Sequence, residues 1–460
     1  MKSYQTLLIR FSMRFLCVIL LLISITSCSK TTENSHTLLS ANAFDQLSKA
    51  PVNPPPNGFD SLVVFGDSLS DMGTYTVLAL QTYGLGTRFN VPFHHLPYPD
   101  GGQFTVNSSQ SRIWVSDMAE KLHLTLNPNV VTYGTGSTAT YLMPSGGFTH
   151  QPSICLFGSS SRTQPASCLD FAQGGALVNQ SDGIDHESGA MTLPASRQVS
   201  HYLAEFKQFN NHQLIVIFIG SNDILLAFKG FLQEMTESVQ QQVSQTLKQD
   251  PDSGLIHEQT AATLAMARAY PTALAHAFGK VDLAADDLAR LASRIVHHQG
   301  RYILVYTIPD IAQTPFGRGL PYTLKNYPGD IPDGYQCHID QTDSPCHILS
   351  QLVNRFNHKL LRYLQKAPVK IVDSHALFHT ILDNPLSFGF TETHQPWCSP
   401  NIPSSLLCNL NTPNTRAGAN TDNLSTWLFA DQIHPTPAGH EALTRYSLQS
   451  LQDFHWITAP

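Results

Sequence analysis

Three side chains in this sequence are of the types that a serine nucleophile requires. Ser68 lies in the tetrapeptide Gly-Asp-Ser-Leu that begins at Gly66, and Asp431 and His434 are three residues apart near the carboxyl end. A serine hydroxyl attacks a carbonyl carbon only when a base removes its proton, and a histidine oriented by a carboxylate is such a base. Each feature alone has an ordinary explanation, because Asp and Ser also begin helices and an Asp-x-x-His pair arises by chance. Together they predict a nucleophile, a base and an orienting acid.

Two further segments contain hydrogen-bond donors for a negatively charged oxygen. Asn222 lies in Gly-Ser-Asn-Asp directly after the apolar run LIVIFI, and a side-chain amide there can donate to a developing oxyanion. Gly174 and Gly175 lie in DFAQGGALV, where a backbone N–H without a neighbouring Cβ can approach a ligand closely. Taken singly, these residues are also typical of turns and helix starts.

The elements that must position these residues alternate between strands and helices. Apolar runs without polar alternation predict buried strands at residues 62–65, 214–219, 302–308 and 369–372. Apolar residues at helical spacing predict helices at about 195–206, 281–299 and 351–366. Such alternation is typical of one α/β domain with a parallel sheet, here from about residue 59 to the end. Ser68 and Asn222 then lie at the carboxyl edge of the sheet, where such folds bind ligands.

Long irregular segments separate these elements. Gly, Pro, Ser and Thr are frequent in residues 74–112, 127–194 and 310–350, and segments longer than a connection requires are typical of surface or substrate loops. Residues 224–280 predict a helical insertion. This insertion is either a solvated addition to the fold or a lid over the site.

Composition excludes several classes of partner. The chain has 460 residues, a net charge of −7 and only 13% charged residues, which gives no basic surface for nucleic acid. The 21 histidines are scattered and no His-Glu-x-x-His motif occurs. We therefore expect no metal site and no cofactor.

The first 28 residues predict an export signal. Basic residues precede an apolar run at 15–25 that is too short to cross a bilayer as a mature helix. The sequence Ile-Thr-Ser-Cys that ends at Cys28 resembles the lipobox of bacterial lipoproteins, in which the cysteine is lipidated; the alternative is an ordinary cleaved signal. Residues 29–58 are polar and end in PVNPPPNG, which predicts an extended, semi-rigid linker.

The remaining cysteines suit disulfide bonds in an oxidising compartment. Without Cys17 and Cys28, which belong to the signal segment, six remain, an even number. They fall into three pairs of sequence neighbours, although six cysteines allow fifteen connectivities. The pairs are Cys155 with Cys168, Cys337 with Cys346, and Cys398 with Cys408. A zinc site at Cys337-His338 and Cys346-His347 is the alternative for the middle pair.

Taken in order, these motifs resemble the four signature blocks of the GDSL, or SGNH, hydrolase family. The resemblance spans nearly all of residues 59–446 and is strongest with the bacterial lipolytic branch of lysophospholipases, phospholipases A and glycerophospholipid:cholesterol acyltransferases. It implies a three-layer α/β/α domain with a mainly parallel sheet at residues 59–460.

The family resemblance also implies a role for each candidate residue. Ser68 is then the nucleophile, His434 the general base and Asp431 its orienting acid. The Ser68 backbone N–H, Gly175 and Asn222 form the oxyanion hole. One departure is Asp170, at a position where many members have Asn. This departure leaves the choice between Gly174 and Gly175 open.

The implied function is that of an exported serine hydrolase that cleaves lipid acyl esters through an acyl-enzyme, with cholesterol as a second acceptor besides water. We expect contact with a membrane surface and a location outside the cytoplasm, as an outer-membrane lipoprotein, a periplasmic protein or a secreted one. The alternatives are a short-chain or carbohydrate acetylesterase and a non-catalytic surface-binding lipoprotein.

Overall fold

The structure is a computed structural model that describes residues 49–74, 101–130, 154–155, 167–180, 183–184, 192–249, 255–324, 331–332, 334–402 and 404–458. The expected export signal, Cys28 and the first part of the expected linker lie outside the described residues, as do large parts of the predicted substrate loops. Among the helices in the described residues, none is both long and apolar enough to cross a bilayer.

The described strands form one main sheet and two small ones. In chain order they are β1 (Ser61–Gly66), β2 (Asn129–Val130), β3 (Ile154–Cys155), β4 (Gln213–Phe218), β5 (Tyr302–Tyr306), β6 (Lys370–Val372), β7 (Glu392–Pro396) and β8 (Trp427–Phe429). The main sheet is parallel in the order β1-β4-β5-β6, with Val64 opposite Val216 and Val216 opposite Leu304. The strands β2 and β3 pair antiparallel, and β7 and β8 pair in parallel. Strands β1, β4 and β5 are buried along their whole length, which explains their continuous apolar sequences.

Helices connect these strands. In chain order they are α1 (Trp114–Lys121), α2 (Ala195–Phe206), α3 (Ser221–Gln249), α4 (Leu255–His297), α5 (Pro315–Arg318), α6 (Pro345–Leu364), α7 (Ser374–Asp383) and α8 (Pro437–Asp453). Short 3₁₀ turns lie at Ile311–Gln313, Tyr322–Leu324, Pro385–Phe388, Ser405–Leu407, Thr415–Ala417 and Thr421–Thr426.

The helices cover both faces of the main sheet. On one face, the ring of Phe65 lies 6.1 Å from that of Tyr202 in α2. On the opposite face, Trp114 of α1 packs against Tyr306 with ring centroids 4.8 Å apart, and the Tyr306 hydroxyl donates to Ser447 Oγ of α8 at 2.9 Å. The expected three-layer α/β/α fold is therefore confirmed.

Several helix boundaries differ from those predicted, because caps set them. Helix α6 begins at Pro345 and not near residue 351, since the Ser344 side chain accepts the N–H of His347 and proline fits the first helical position. Within the predicted insertion, residues 224–249 lie in α3 and residues 255–280 lie in the first part of α4. Phe231 packs edge-on against Tyr270 between the two helices. A lid role for this pair stays a prediction.

The carboxyl end of the expected linker is attached to the domain. The Trp456 indole N–H donates to the Pro51 carbonyl oxygen at 2.8 Å, and the Tyr302 hydroxyl donates to the Asn53 backbone carbonyl oxygen at 3.1 Å. Pro51 and Asn53, which the sequence assigns to the linker, therefore contact the domain.

Two of the three expected disulfides are present between described residues. Cys337 bonds to Cys346 and Cys398 to Cys408. The first bond removes the zinc alternative, because both thiolates that it needs are consumed. Cys168 is disulfide-bonded, but the side chain of Cys155 lies outside the described part of the chain, so their pairing stays a prediction.

Candidate active site

The nucleophile turn begins where β1 ends, and Gly66 fixes its position. Both backbone groups of Gly66 bind the side-chain amide of Gln198, whose Oε1 accepts the N–H at 3.0 Å and whose Nε2 donates to the carbonyl at 2.9 Å. A Cβ at Gly66 would lie 2.7 Å from the Phe218 carbonyl oxygen, so glycine is the residue that permits this close approach of β1 and β4. The next two residues, Asp67 and Ser68, project from this anchored strand end.

The structure brings Ser68, His434 and Asp431 into one hydrogen-bonded line. His434 Nε2 lies 2.7 Å from Ser68 Oγ, and His434 Nδ1 lies 2.8 Å from Asp431 Oδ2 and 3.0 Å from its Oδ1. Ser68 is 9% and Asp431 is 5% exposed. These distances allow the imidazole to accept the hydroxyl proton while the carboxylate orients the ring.

The charges of this line make His434 a stronger base. Burial alone would raise the pKa of Asp431, but the charge of His434 and the surrounding N–H donors hold that pKa well below its usual range. Burial opposes the charged form of His434, yet the carboxylates of Asp431 and Asp67 outweigh it and raise the His434 pKa above its ordinary value. A base with a raised pKa accepts the serine proton more readily.

Donors for an oxyanion remain beside the nucleophile. Within the described residues, the backbone N–H groups of Ser68 and Gly175 have no protein acceptor. The N–H of Gly174 donates to Asp71 Oδ2 at 2.9 Å, which favours Gly175 over Gly174 as the donor to a ligand. Asn222 Nδ2 gives one hydrogen to a backbone carbonyl of the glycine segment at 2.9 Å and has a second one to give. Asn222 also lies in the first turn of α3, whose positive end favours an anion.

Two buried carboxylates, neither expected at the site from the sequence, link the nucleophile turn to the glycine segment. Asp71, on the nucleophile turn, accepts the N–H of Gly174. Asp170, on the glycine segment, accepts the N–H of Met72 on the nucleophile turn at 2.9 Å. Each segment thus holds the other through a buried carboxyl oxygen that accepts a backbone N–H. The departure from Asn at Asp170 was the signal in the sequence.

Burial raises the pKa of every carboxylate around the nucleophile turn. The pKa of Asp67 rises to about 7, that of Asp71 to about 6 and that of Asp223 to about 7, and that of Asp170 lies well above its ordinary value. Backbone N–H donors oppose this effect at each residue. Asp67 differs from the other three in that its Oδ2 is buried without a hydrogen-bond partner among the described residues.

Two distant segments support the loop that holds Asp431 and His434. The ring of Phe104 lies 4.9 Å from that of His434, and Thr105 Oγ1 donates to the Pro435 carbonyl at 3.0 Å. Ser405, within the loop that the Cys398–Cys408 disulfide closes, donates its N–H to Asp431 Oδ2 at 3.0 Å. The disulfide loop therefore contacts the orienting acid directly, which no local pattern indicates.

An apolar cavity of about 80 Å³ is lined by residues that flank the triad in the sequence, although by no triad residue itself. Its wall includes Leu69 and Ile433, which are the sequence neighbours of Ser68 and His434. Leu377, Phe378 and Ile381 of α7 close another side. A larger surface cavity of about 700 Å³ lies between α7 and α8 and is lined by none of the triad residues. Of these two cavities, the smaller one is lined by the sequence neighbours of Ser68 and His434.

Comparisons with known proteins agree with this arrangement of motifs. The family model described as GDSL-like lipase/acylhydrolase matches residues 62–446. The chain therefore belongs to this family, as its motifs indicate.

Individual proteins are similar to this chain over a short segment or at low sequence identity. Lipase 1 of Photorhabdus luminescens is 31% identical over 80 residues, which are 17% of this chain and 11% of that relative. Among solved structures, phospholipase A1 from Streptomyces albidoflavus NA297 is 12% identical with a TM-score of 0.35, and the match covers 86% of this chain and 99% of that one. An extracellular lipase from Streptomyces rimosus is 12% identical with a TM-score of 0.34 and the same coverage.

Proposed function

We propose that this protein is a serine hydrolase that cleaves acyl esters of lipids, of the lysophospholipase or phospholipase A type. The observation that carries the proposal is the 2.7 Å contact between Ser68 Oγ and His434 Nε2 beside an apolar cavity. The contact supplies an activated nucleophile, and the cavity supplies a place for the alkyl part of the ester.

The proposed reaction proceeds in two steps through an acyl-enzyme. In the first, Ser68 Oγ bonds to the ester carbonyl carbon while His434 Nε2 takes the hydroxyl proton. The N–H donors of Ser68, Gly175 and Asn222 stabilise the oxyanion, and the bond to the leaving alcohol breaks as His434 returns the proton to it. In the second, water forms the new bond to the acyl carbon, and its proton passes through His434 back to Ser68 Oγ as the fatty acid leaves.

The apolar cavity favours an acyl chain over an acetyl group. A cavity of about 150 Å³ binds benzene, so one of about 80 Å³ holds the first few carbons of a chain. An acetylesterase needs almost no apolar lining beyond the carbonyl carbon, whereas the lining here extends to α7. The carbohydrate acetylesterase is therefore the second candidate.

Mass spectrometry of the products from a suspension of phospholipid, lysophospholipid and cholesterol tests the proposal. We expect free fatty acid from the lipids, lost by about 10⁴-fold or more in Ser68→Ala, because no other group replaces the nucleophile. The exposed Ser387→Ala is the matched control and should retain activity. Rapid cleavage of acetyl esters without release of fatty acid would favour the second candidate. Activity retained in a folded Ser68→Ala would show that the triad is assigned wrongly.

The same acyl-enzyme supports a second proposed outcome, transfer to a sterol. A sterol hydroxyl held near His434 can replace water as the acceptor, and the choice depends on which acceptor is positioned there. In the suspension described above, we expect a smaller yield of cholesteryl ester beside the fatty acid. Fatty acid alone with every donor would remove the transfer and leave the hydrolysis.

We further propose that the protein acts outside the cytoplasm, anchored to a membrane by a lipid on Cys28. The apolar segment before Cys28 and the even number of remaining cysteines support export. Cys28→Ser should move the protein from the membrane fraction to the soluble fraction without changing its activity on a soluble ester. Equal fractionation of both forms would favour an ordinary cleaved signal.

A further inference from the structure

A group of metal-ligand side chains lies at the carboxyl edge of the main sheet, outside the triad. Asp310 follows β5, and His375 and His379 lie one turn apart on α7, which follows β6. One ligand atom from each residue lies within 4.8 Å of those of the other two. Two histidines four residues apart on one helix are a recurrent metal-binding arrangement. This spacing was readable in the sequence, but the third ligand was not.

The polar atoms of this group are incompletely paired. His375 Nε2 is buried and has no hydrogen-bond partner among the described residues. His379 Nε2 lies 4.0 Å from Asp310 Oδ2, which is too far for a hydrogen bond. Two metal–ligand bonds of about 2.0–2.2 Å at a tetrahedral angle hold ligand atoms about 3.3–3.6 Å apart, so an approach of about half an ångström brings His379 and Asp310 onto one ion.

The surroundings favour a cation. Ser350 Oγ donates to Asp310 Oδ2 at 2.8 Å, and outer hydrogen bonds of this kind orient a ligand. The carboxylate of Asp310 adds negative charge beside the two imidazoles, which favours a bound cation.

We propose that Asp310, His375 and His379 bind a divalent transition-metal ion, with Zn²⁺ the first choice and water completing its coordination. Imidazole and carboxylate ligands in this number suit zinc and leave one position open. The ion ties α7 to the loop after β5. Because Leu377 and Phe378 of α7 line the apolar cavity, the ion also holds one wall of that cavity in place. This site replaces the expectation of a chain without metal, and it does not depend on the proposed ester hydrolysis.

Calorimetric titration of metal-stripped, tag-free protein with Zn²⁺ tests the site. We expect one ion per chain in the wild type and binding weaker by about 100-fold or more in His375→Ala and in His379→Gln, since loss of an outer-shell partner alone costs about 10–100-fold. His276→Ala is the matched control, because His276 is an exposed histidine whose ring contacts the carboxylate of Glu234 at 2.9 Å and lies outside the proposed metal site. It should bind Zn²⁺ as the wild type does.

Two further measurements separate metal binding from folding. Circular dichroism should show that the variants fold, and Zn²⁺ should raise the melting temperature of the wild type and of His276→Ala but not that of either site variant. Co²⁺ in place of Zn²⁺ should give visible absorption that the site variants lose. No saturable binding to the wild type, or equal binding to a folded site variant, would overturn the proposal. Neither result depends on a measurement of ester hydrolysis, so the metal site is tested separately from the proposed function.

Discussion

Replacing Asp431 by Asn should disable the base while keeping the shape of the site. The carboxylate of Asp431 accepts the His434 Nδ1–H. It also accepts three backbone N–H groups, that of Ser405 at 3.0 Å, that of Ile433 at 2.9 Å and that of His434 at 2.7 Å. An amide has one acceptor oxygen and one donating NH₂ group. In Asp431→Asn, at least one of these buried N–H groups therefore faces another donor.

The magnitude follows from two separate losses. A buried donor without an acceptor costs about 1–3 kcal/mol. The hydrogen bond from the charged imidazolium to the carboxylate, present in the transition state, is worth about 1.5–3 kcal/mol. Together they amount to about 2.5–6 kcal/mol. Where the donor left unpaired is the His434 Nδ1–H, both losses act on the base, and kcat falls by about 10²–10⁴-fold. The larger value agrees with the loss of about 10⁴-fold known for this change in a serine protease triad.

The same substitution should also move the pH dependence. Asp431 raises the pKa of His434, and only the neutral imidazole accepts the serine proton. The activity of the wild type therefore rises with pH through a value above the ordinary pKa of histidine. Without the carboxylate the His434 pKa falls, so the residual activity of Asp431→Asn should reach its plateau at a lower pH.

Steady-state hydrolysis of a soluble chromogenic ester, measured across the acid and neutral range, checks both expectations. Asp422→Asn is the matched control, because Asp422 is an exposed aspartate whose side chain contacts none of the triad. It should leave kcat and the pH profile unchanged. A kcat within about tenfold of the wild type, or an acid limb of kcat/KM that stays in place, would refute the role given to Asp431.

Three further predictions concern the surroundings of the triad. Asn222→Ala should lower kcat by about 10²–10³-fold with little change in KM, because the Asn222 amide binds charge that forms only in the transition state. Steady-state kinetics checks the prediction, and a rise in KM without a fall in kcat would contradict it. Asp67→Asn should stabilise the protein more at about pH 8 than at about pH 5, by at most about 3 kcal/mol. A pKa raised from 3.8 to about 7 means that ionisation of Asp67 destabilises the fold progressively up to about pH 7, and only the part above about pH 5 enters this comparison. Urea unfolding at both pH values measures the difference, and an equal effect at both would contradict the prediction. Removing the Cys398–Cys408 disulfide should lower kcat several-fold as well as the melting temperature, because the loop that it closes contacts Asp431. Removing the Cys337–Cys346 disulfide should lower the melting temperature alone. Equal losses of kcat in the two variants would argue against a role for the Ser405–Asp431 contact.

The sequence predicts the main sheet well, because each central strand is buried on both faces and therefore has an almost continuously apolar sequence. The triad was also predictable, since Asp431 and His434 are close along the chain and Ser68 directly follows a strand. The boundaries of the helices were harder to predict. The start of α6 depends on a cap at Ser344, which lies in a segment that reads as an irregular loop.

The contacts that position the site could not be predicted. Asp71 reaches Gly174 and Asp170 reaches Met72 across about 100 residues of sequence. Both contacts depend on the direction of a single backbone N–H, and no periodicity of side chains encodes that direction. The contact from Ser405 to Asp431 is of the same kind. The metal-ligand group shows the same limit, because the spacing of His375 and His379 is local whereas Asp310 is brought to them by the order of strands.

The arrangement of charge around Ser68 favours catalysis at the expense of stability. Four carboxylates, those of Asp67, Asp71, Asp170 and Asp223, are buried close to the nucleophile turn, and burial raises the pKa of each. Asp71 and Asp170 recover part of that cost through their hydrogen bonds to the opposite segment. Asp67 recovers less, since one of its oxygens has no partner among the described residues, but its charge raises the pKa of His434. A residue that destabilises the fold while strengthening the base is what a functional site is expected to retain. The destabilising carboxylate of Asp67 and the proposed base His434 are thus coupled, and substitutions that remove the Asp67 carboxylate should make His434 a weaker base.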